Sequence, residues 1–380
     1  MSDTAVEYTL PSVAPEVVAE MLSPSLVVFR DRVVANIDRM IEVAGDPARL
    51  RPHCKTHKMG AVVRLLVERG VFKHKAATIA EAEMVFNDGG QDVLLAYNPV
   101  GPNIARVIAL QQKFPNEKLC VTTDHAGPLQ ELSAAASAAG TTIGVMLDIN
   151  VGQERTGINP DDPGAVGLWK LINQLPGIEA RGFHVYDGHQ RQVEINARRG
   201  AVAEQWQRVV SLADRCRDAG HAVETFVCGG TPTFPVYAEM TDPRIELSPG
   251  TSVFHDCGYG STFPDLPFEP AALLLTRVVS RPSANRVTLD LGNKAVAADP
   301  PKGARVLFPQ LPDAVQETHN EEHLVLVTEQ AERFQPGDAL FGIPVHICPT
   351  SALYDAVNVV EDGELVDRWT VTGRNRKLTV

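Results

Sequence analysis

Short apolar runs alternate with helix-period segments from about residue 24 to residue 262, and nothing else in the 380-residue chain constrains the fold as strongly. ARLRPHCKT precedes MGAVVRLLVERG, DVLLAYN precedes NIARVIALQQKF, and EARGFHVYDGH precedes AVAEQWQRVVSLADRCRDAG. A strand followed by a helix, repeated, builds a parallel sheet, because parallel strands need a crossover between them. With SLVVF left aside, about eight such units start at Leu50, the number that closes a barrel. The expectation is α/β: a (β/α)8 barrel of TIM type over residues 24–265, with an open doubly wound sheet as the alternative. No G-x-G-x-x-G follows an early strand, which leaves a dinucleotide site without support.

The pattern changes after FPDLPFEP. AALLLTRVVS, RVTLDLG, HLVLV, DALFGIPVHI, YDAVNVVE and LVDRWTV read as strands separated by Gly, Pro and Asp. A mostly β domain is expected over 266–380, with residues 1–23 packed on it.

Acidic residues outnumber basic ones, 47 to 35, for a formal charge of −12. That balance argues against general nucleic-acid binding, which needs a surplus of Lys and Arg. The six cysteines are scattered without a C-x-x-C, as reduced thiols in a cytoplasmic protein would be. MSDTAVEYTL has no basic segment leading into an apolar run, so neither a leader nor a membrane span is expected.

RPHCKTHK, residues 51–58, crowds basic groups at the end of the first expected barrel strand. Side chains alternate along a strand, so Arg51, His53, Lys55 and His57 share one face. Barrel enzymes place reactive groups at the C-terminal ends of strands. A lysine held there among other cations loses its proton more easily and can serve as a Schiff-base nucleophile. The plainer alternative is a cluster of solvated bases.

CGGTPT and SPGTSVF follow the last two expected barrel strands. Gly229, Gly230, Thr231, Gly250 and Thr251 offer backbone N–H groups and hydroxyls to an anion, where barrels often bind phosphate. A ligand carrying both a phosphate and an aldehyde would join these loops to Lys55, and pyridoxal phosphate is such a molecule. In VHICPT, His346 and Cys348 lie two apart on an expected strand and so share a face. Imidazole with thiolate suits zinc or a similar divalent metal, and a buried structural cysteine is the plainer alternative.

RPHCKTHK, DINVGQERTG, GFHVYDGH, CGGTPT, ELSPGTSVF and VHICPT occur in an order that resembles the D-threonine aldolase and D-serine dehydratase family. The resemblance spans nearly the whole chain. It implies an alanine-racemase-like fold (type III) with pyridoxal phosphate carried on Lys55, Arg155 and Tyr186 beside the cofactor ring, and Gly229, Gly230, Thr231, Gly250 and Thr251 around its phosphate. It implies His189 as the base that takes a substrate hydroxyl proton, a task imidazole suits. It also implies a homodimer.

The implied reaction is retro-aldol cleavage of a small β-hydroxy D-amino acid to glycine and an aldehyde. The alternative is elimination to a 2-oxo acid and ammonia, as in D-serine or D-threo-3-hydroxyaspartate dehydratases. In the resembling dehydratases the metal ligands are His and Cys, whereas aldolases carry Asp at the second position and use manganese. Cys348 departs from the aldolase pattern, so zinc and manganese are both open. A racemase would need a further acid/base, for which Tyr259 and Tyr354 are poorly placed. A non-catalytic cofactor carrier would lack the β domain. The same segment pattern leaves Asp148 as a turn cap, and Glu322 and His323 without an assigned role.

Overall fold

A computed structural model describes residues 8–380. These form two compact units, one of 41–55, Gly60–Gly250 and 375–380, the other of 8–40, Thr56–Met59 and Thr251–Arg374.

In the first unit, seven parallel strands lie side by side in chain order: Lys73–Ala76, Asp92–Leu95, Lys118–Thr123, Ile143–Asp148, Ile178–Val185, Phe226–Cys228 and Ile245–Leu247. Asp92–Leu95 and Ile143–Asp148 are buried along their whole length. Strands covered on both faces are expected to read as continuous apolar runs, as these do.

Residues 50–54 take the eighth place. Arg51 and His53 donate their N–H groups to the carbonyls of Leu247 (2.8 Å) and Pro249 (2.7 Å). On the other edge Cys54 N–H donates to Lys75 O, and Lys75 N–H to Pro52 O, both at 2.9 Å. Pro52 has no N–H to give, so the ladder here is short, yet it closes the ring. Helices return the chain between strands. Ile79–Asn87 starts on a reciprocal cap: Thr78 Oγ1 accepts from Glu81 N–H at 3.1 Å, and Glu81 Oε2 accepts from Ala77 N–H at 2.6 Å.

One end of this barrel is sealed by charge. Arg51, 1 % exposed, pairs with Asp92 (2.7 Å) and Glu246 (2.6 Å); Arg181 adds to Asp92 at 2.8 Å and Lys73 to Glu246 at 2.5 Å. Arg51 is thus a structural cation within RPHCKTHK. Residues 375–380 also belong to this unit, with Thr379 N–H donating to Glu83 at 3.1 Å, although the sequence placed them with the β domain.

The second unit is built on a nine-stranded sheet. Ser25–Phe29 lies within it, parallel to Ala356–Glu361 and antiparallel to Ala272–Ser283. The stretch expected for the barrel, 24–265, therefore gives its first strand and residues 251–265 to this unit. The reason is pairing: both edges of Ser25–Phe29 are satisfied by strands far along the chain. Val17 and Met21 are buried against Val27, Phe29, Leu273 and Phe341, with Tyr8, Leu10 and Val13 packed on them.

Candidate active site

Three cations in the barrel unit face a single ring. Lys55 follows the closing segment directly, and its Nζ is 5.9 Å from the centroid of Tyr186. Lys75 Nζ lies 5.5 Å from the same centroid and Arg155 Cζ 4.8 Å. Among the described residues none of the three forms an ion pair. Lys75 is 2 % exposed. Burial, and after it the charge on Lys55, pull its amine down to about 7. The sequence reading did not single out Lys75.

Arg155 is held by a closed loop. Asn150 N–H donates to Ile158 O, and Ile158 N–H to Asp148 O, each at 2.9 Å. Asn150 Oδ1 accepts from the N–H groups of Gly152 (3.0 Å) and Glu154 (3.2 Å). Gly157, at φ +97°, closes the loop where a Cβ would lie 2.7 Å from Asn150 N. Tyr186 is seated by a second close approach: a Cβ on Gly188 would fall 2.2 Å from its hydroxyl.

Asp148 and His184 form a buried pair, Nδ1 to Oδ1, at 2.7 Å. Burial lowers the pKa of His184, so the neutral ring donates from Nδ1 to the carboxylate. Its Nε2 is then a buried acceptor with no partner. Asp148 is more than the turn cap that the sequence suggested.

His189 lies against Gly152, whose added Cβ would sit 3.0 Å from His189 Nε2, and beside Gln190 Nε2 at 3.2 Å. Gln190 continues to Gln205 at 2.7 Å, and Gln205 to Asp187 at 2.6 Å. Thr233 Oγ1 also donates to Asp187, at 2.7 Å. This buried chain ties the loop after one strand to the loop after the next.

In the late loops Gly229 N–H is used in the barrel ladder, donating to Val185 O at 2.9 Å. Gly230 N–H donates to Thr233 Oγ1 at 3.1 Å, and Gly250 N–H to Thr231 Oγ1 at 3.2 Å. The two loops therefore meet, with the N–H groups of Gly229, Gly230 and Gly250 each bonded within the protein. The cations around Tyr186 fit an anionic, aldehyde-bearing group, and the acceptor His184 Nε2 would suit a proton donor on it. Pyridoxal phosphate satisfies that chemistry.

In the β unit, Cys348 Sγ lies 3.2 Å from Thr56 Oγ1 and 3.5 Å from Thr251 Oγ1. Thr251 thus turns its hydroxyl toward sulfur. Burial raises the Cys348 pKa, but His346 and the two hydroxyls outweigh it and bring the thiol below its ordinary value. His346 Nδ1 bonds Asp299 Oδ2 at 2.5 Å. A carboxylate on one ring nitrogen is the usual backing of a metal-bound histidine. The donor set fits a divalent metal with open positions.

The expected strand is corrected here. It ends at Pro344, and Cys348 sits in the short helix Ile347–Ser351 with His346 as its N-cap residue. Asp256 Oδ2 accepts Ile347 N–H at 3.0 Å and anchors that turn. Pro349 directly after Cys348 favours the first turn of a helix over a strand interior. Asp299, far away in sequence, carried no signal.

His53, Cys54 and Glu81 also bring donor atoms within 4.8 Å of one another. Glu81 already serves the helix cap described above. Glu322 pairs with Lys294 at 3.2 Å in the turn before Leu324–Val327, where His323 also lies. Tyr354 donates its hydroxyl to Ala295 O at 2.6 Å. Among the described residues no helix is long and apolar enough to cross a membrane.

Comparison with known proteins bears on this arrangement. Residues 28–256 match the family model "Alanine racemase, N-terminal domain", and residues 271–360 match "Putative serine dehydratase domain". The chain is 31% identical to a D-threonine aldolase of Arthrobacter sp. over 370 residues, 96% of each chain. It is 25% identical to a D-threo-3-hydroxyaspartate dehydratase of Delftia sp. (strain HT23), over 91% of this chain and 96% of that one. The crystal structure of D-threonine aldolase from Filomicrobium marinum superposes with a TM-score of 0.85 at 29% identity, covering 94% of this chain and 97% of that one.

Proposed function

We propose that this chain, which belongs to the D-threonine aldolase and D-serine dehydratase family of alanine-racemase-like proteins, is a lyase that cleaves β-hydroxy D-amino acids to glycine and an aldehyde. The observation that carries the reading is the convergence of Lys55, Lys75 and Arg155 on Tyr186, none of them in an ion pair among the described residues. Similarity along the whole chain to a named aldolase supports it.

When bound, pyridoxal phosphate supplies a sink for the electron pair released at Cα. Lys55 would hold it covalently, Arg155 and Tyr186 would flank its ring, and Gly229, Gly230, Thr231, Gly250 and Thr251 would surround its phosphate. His346 and Cys348 would hold a divalent metal, zinc or manganese, that makes a bound hydroxyl more acidic. His189 takes the β-hydroxyl proton, and its ring is kept in place by Gln190 and the approach of Gly152. Lys55 would be the amine that gives up its place to the substrate amine.

Cys348 favours a second reading. A thiolate ligand suits zinc, and the resembling dehydratases use that pair. In that reading Lys55 takes the Cα proton, the hydroxyl departs, and the products are a 2-oxo acid and ammonia. Six free cysteines support a reducing, cytoplasmic setting, and the resemblance supports a homodimer.

Incubation with D-threonine separates the two. Glycine and acetaldehyde are expected; 2-oxobutyrate and ammonia would overturn the aldolase in favour of the dehydratase. Release of neither pair would overturn both.

A further inference from the structure

Lys75 is not needed by the reaction just described, yet it occupies a costly position. An unpaired cation inside a barrel is expensive, and an apolar side chain of similar length would pack there without that penalty. Lys75 is itself 2 % exposed, and His74 and Ala76 on the opposite face of the strand are buried, so neither face reaches solvent here. The charged groups near Lys75 are Lys55, Arg155, Asp148 and Asp187. None is an ion-pair partner among the described residues.

The barrel ladder fixes where its amine goes. His53 and Lys75 are bridged across neighbouring strands, and Lys75 bonds through its backbone to Pro52 and Cys54. Its side chain and that of Lys55 therefore leave adjacent strands. Both end above Tyr186, with Nζ atoms 5.5 and 5.9 Å from one centroid. The charge on Lys55 is felt at the Lys75 amine, which places the two amines in one pocket.

We propose that Lys75 is a second carbonyl-reactive amine of this pocket, able to condense with the same aldehyde-bearing cofactor that Lys55 takes. This rests on the reading that pyridoxal phosphate binds here. The Nζ lone pair attacks the aldehyde carbon, and a C=N bond replaces C=O. The oxygen leaves as water with the two amine protons, so no electrons are gained or lost. Burial favours the neutral, nucleophilic form of the amine, which supports the step.

The test is borohydride reduction of protein loaded with pyridoxal phosphate, followed by peptide mass mapping. The wild type is expected to carry the pyridoxyl phosphate mass on the peptide containing Lys55. Lys55→Ala is expected to carry it on the peptide containing Lys75, and the variant lacking both lysines on neither. Lys55→Gln serves as a second variant should Lys55→Ala fold poorly by circular dichroism. A labelled wild type with folded, unlabelled Lys55 variants overturns the proposal and leaves the functional reading intact. A wild type unlabelled at either lysine overturns the functional reading, and with it this inference.

Discussion

Lys55 and Lys75 leave neighbouring barrel segments and bring their amines above the ring of Tyr186, 5.9 and 5.5 Å from its centroid. Two amines placed this way repel when both are charged, and burial adds to the cost on Lys75. The arrangement makes sense as an anion-binding and carbonyl-binding pocket and poorly as a stabilising core.

Replacing Lys75 by Met should therefore stabilise the apoprotein. The Lys75 amine is lowered to about 7, below its ordinary value in the unfolded chain. The unfolded state binds the extra proton between those two values, so stability rises with pH across that window. The penalty is complete below about pH 7 and gone above about pH 10.4. The gain from Lys75→Met should be about 3–5 kcal/mol at pH 6 and should shrink toward pH 10. Urea unfolding at the two pH values measures it, and a gain independent of pH would contradict the account.

Arg51 makes the opposite case. Burial alone would push the carboxyls of Asp92 and Glu246 up, but Arg51 and its neighbours outweigh it and hold both below the usual range. Removing the cation leaves buried carboxylates unpaired. Arg51→Met should cost about 3–5 kcal/mol at pH 7. Groups with lowered values stabilise the fold above their unfolded pKa and lose that contribution as pH falls through the folded one. The deficit of the variant should narrow below about pH 4, because the wild type loses its ion pairs there. Urea unfolding at pH 7 and pH 4 checks the direction.

The barrel was legible because each βα unit carries its own period, 2 or 3.6, within about 25 residues. What escaped notice was set by distant partners. Ser25–Phe29 looks like a barrel strand until Ala272–Ser283 and Ala356–Glu361 claim both its edges. The charges of RPHCKTHK looked equivalent on paper. Arg51 goes to the carboxylates at one barrel end, whereas Lys55 lies over Tyr186. The His346 and Cys348 pair was visible as spacing, but period-2 reasoning gave it a strand where Pro349 starts a helical turn. Lys75 was missed because a lysine in a strand normally signals an exposed edge.

His189→Ala should lower kcat for D-threonine cleavage by about 10² to 10⁴-fold, the usual range for loss of a general base. KM should change little, and cofactor absorbance should be kept. Steady-state kinetics with a parallel absorbance spectrum measure all three. Unchanged kcat would remove His189 from the proton transfer.

Chelation should abolish turnover and leave the bound-cofactor absorbance in place, with activity returning on addition of zinc or manganese. Cys348→Ala should lower the metal content of purified protein, read by elemental analysis. Full turnover after exhaustive chelation would contradict the metal assignment.

The most direct measurement is a titration of the purified apoprotein with pyridoxal phosphate, followed by absorbance. The account predicts saturation at one cofactor per chain, with the free-aldehyde spectrum replaced by a band near the edge of the visible that borohydride bleaches. A cofactor that keeps its free spectrum at saturating protein would contradict the account at its root.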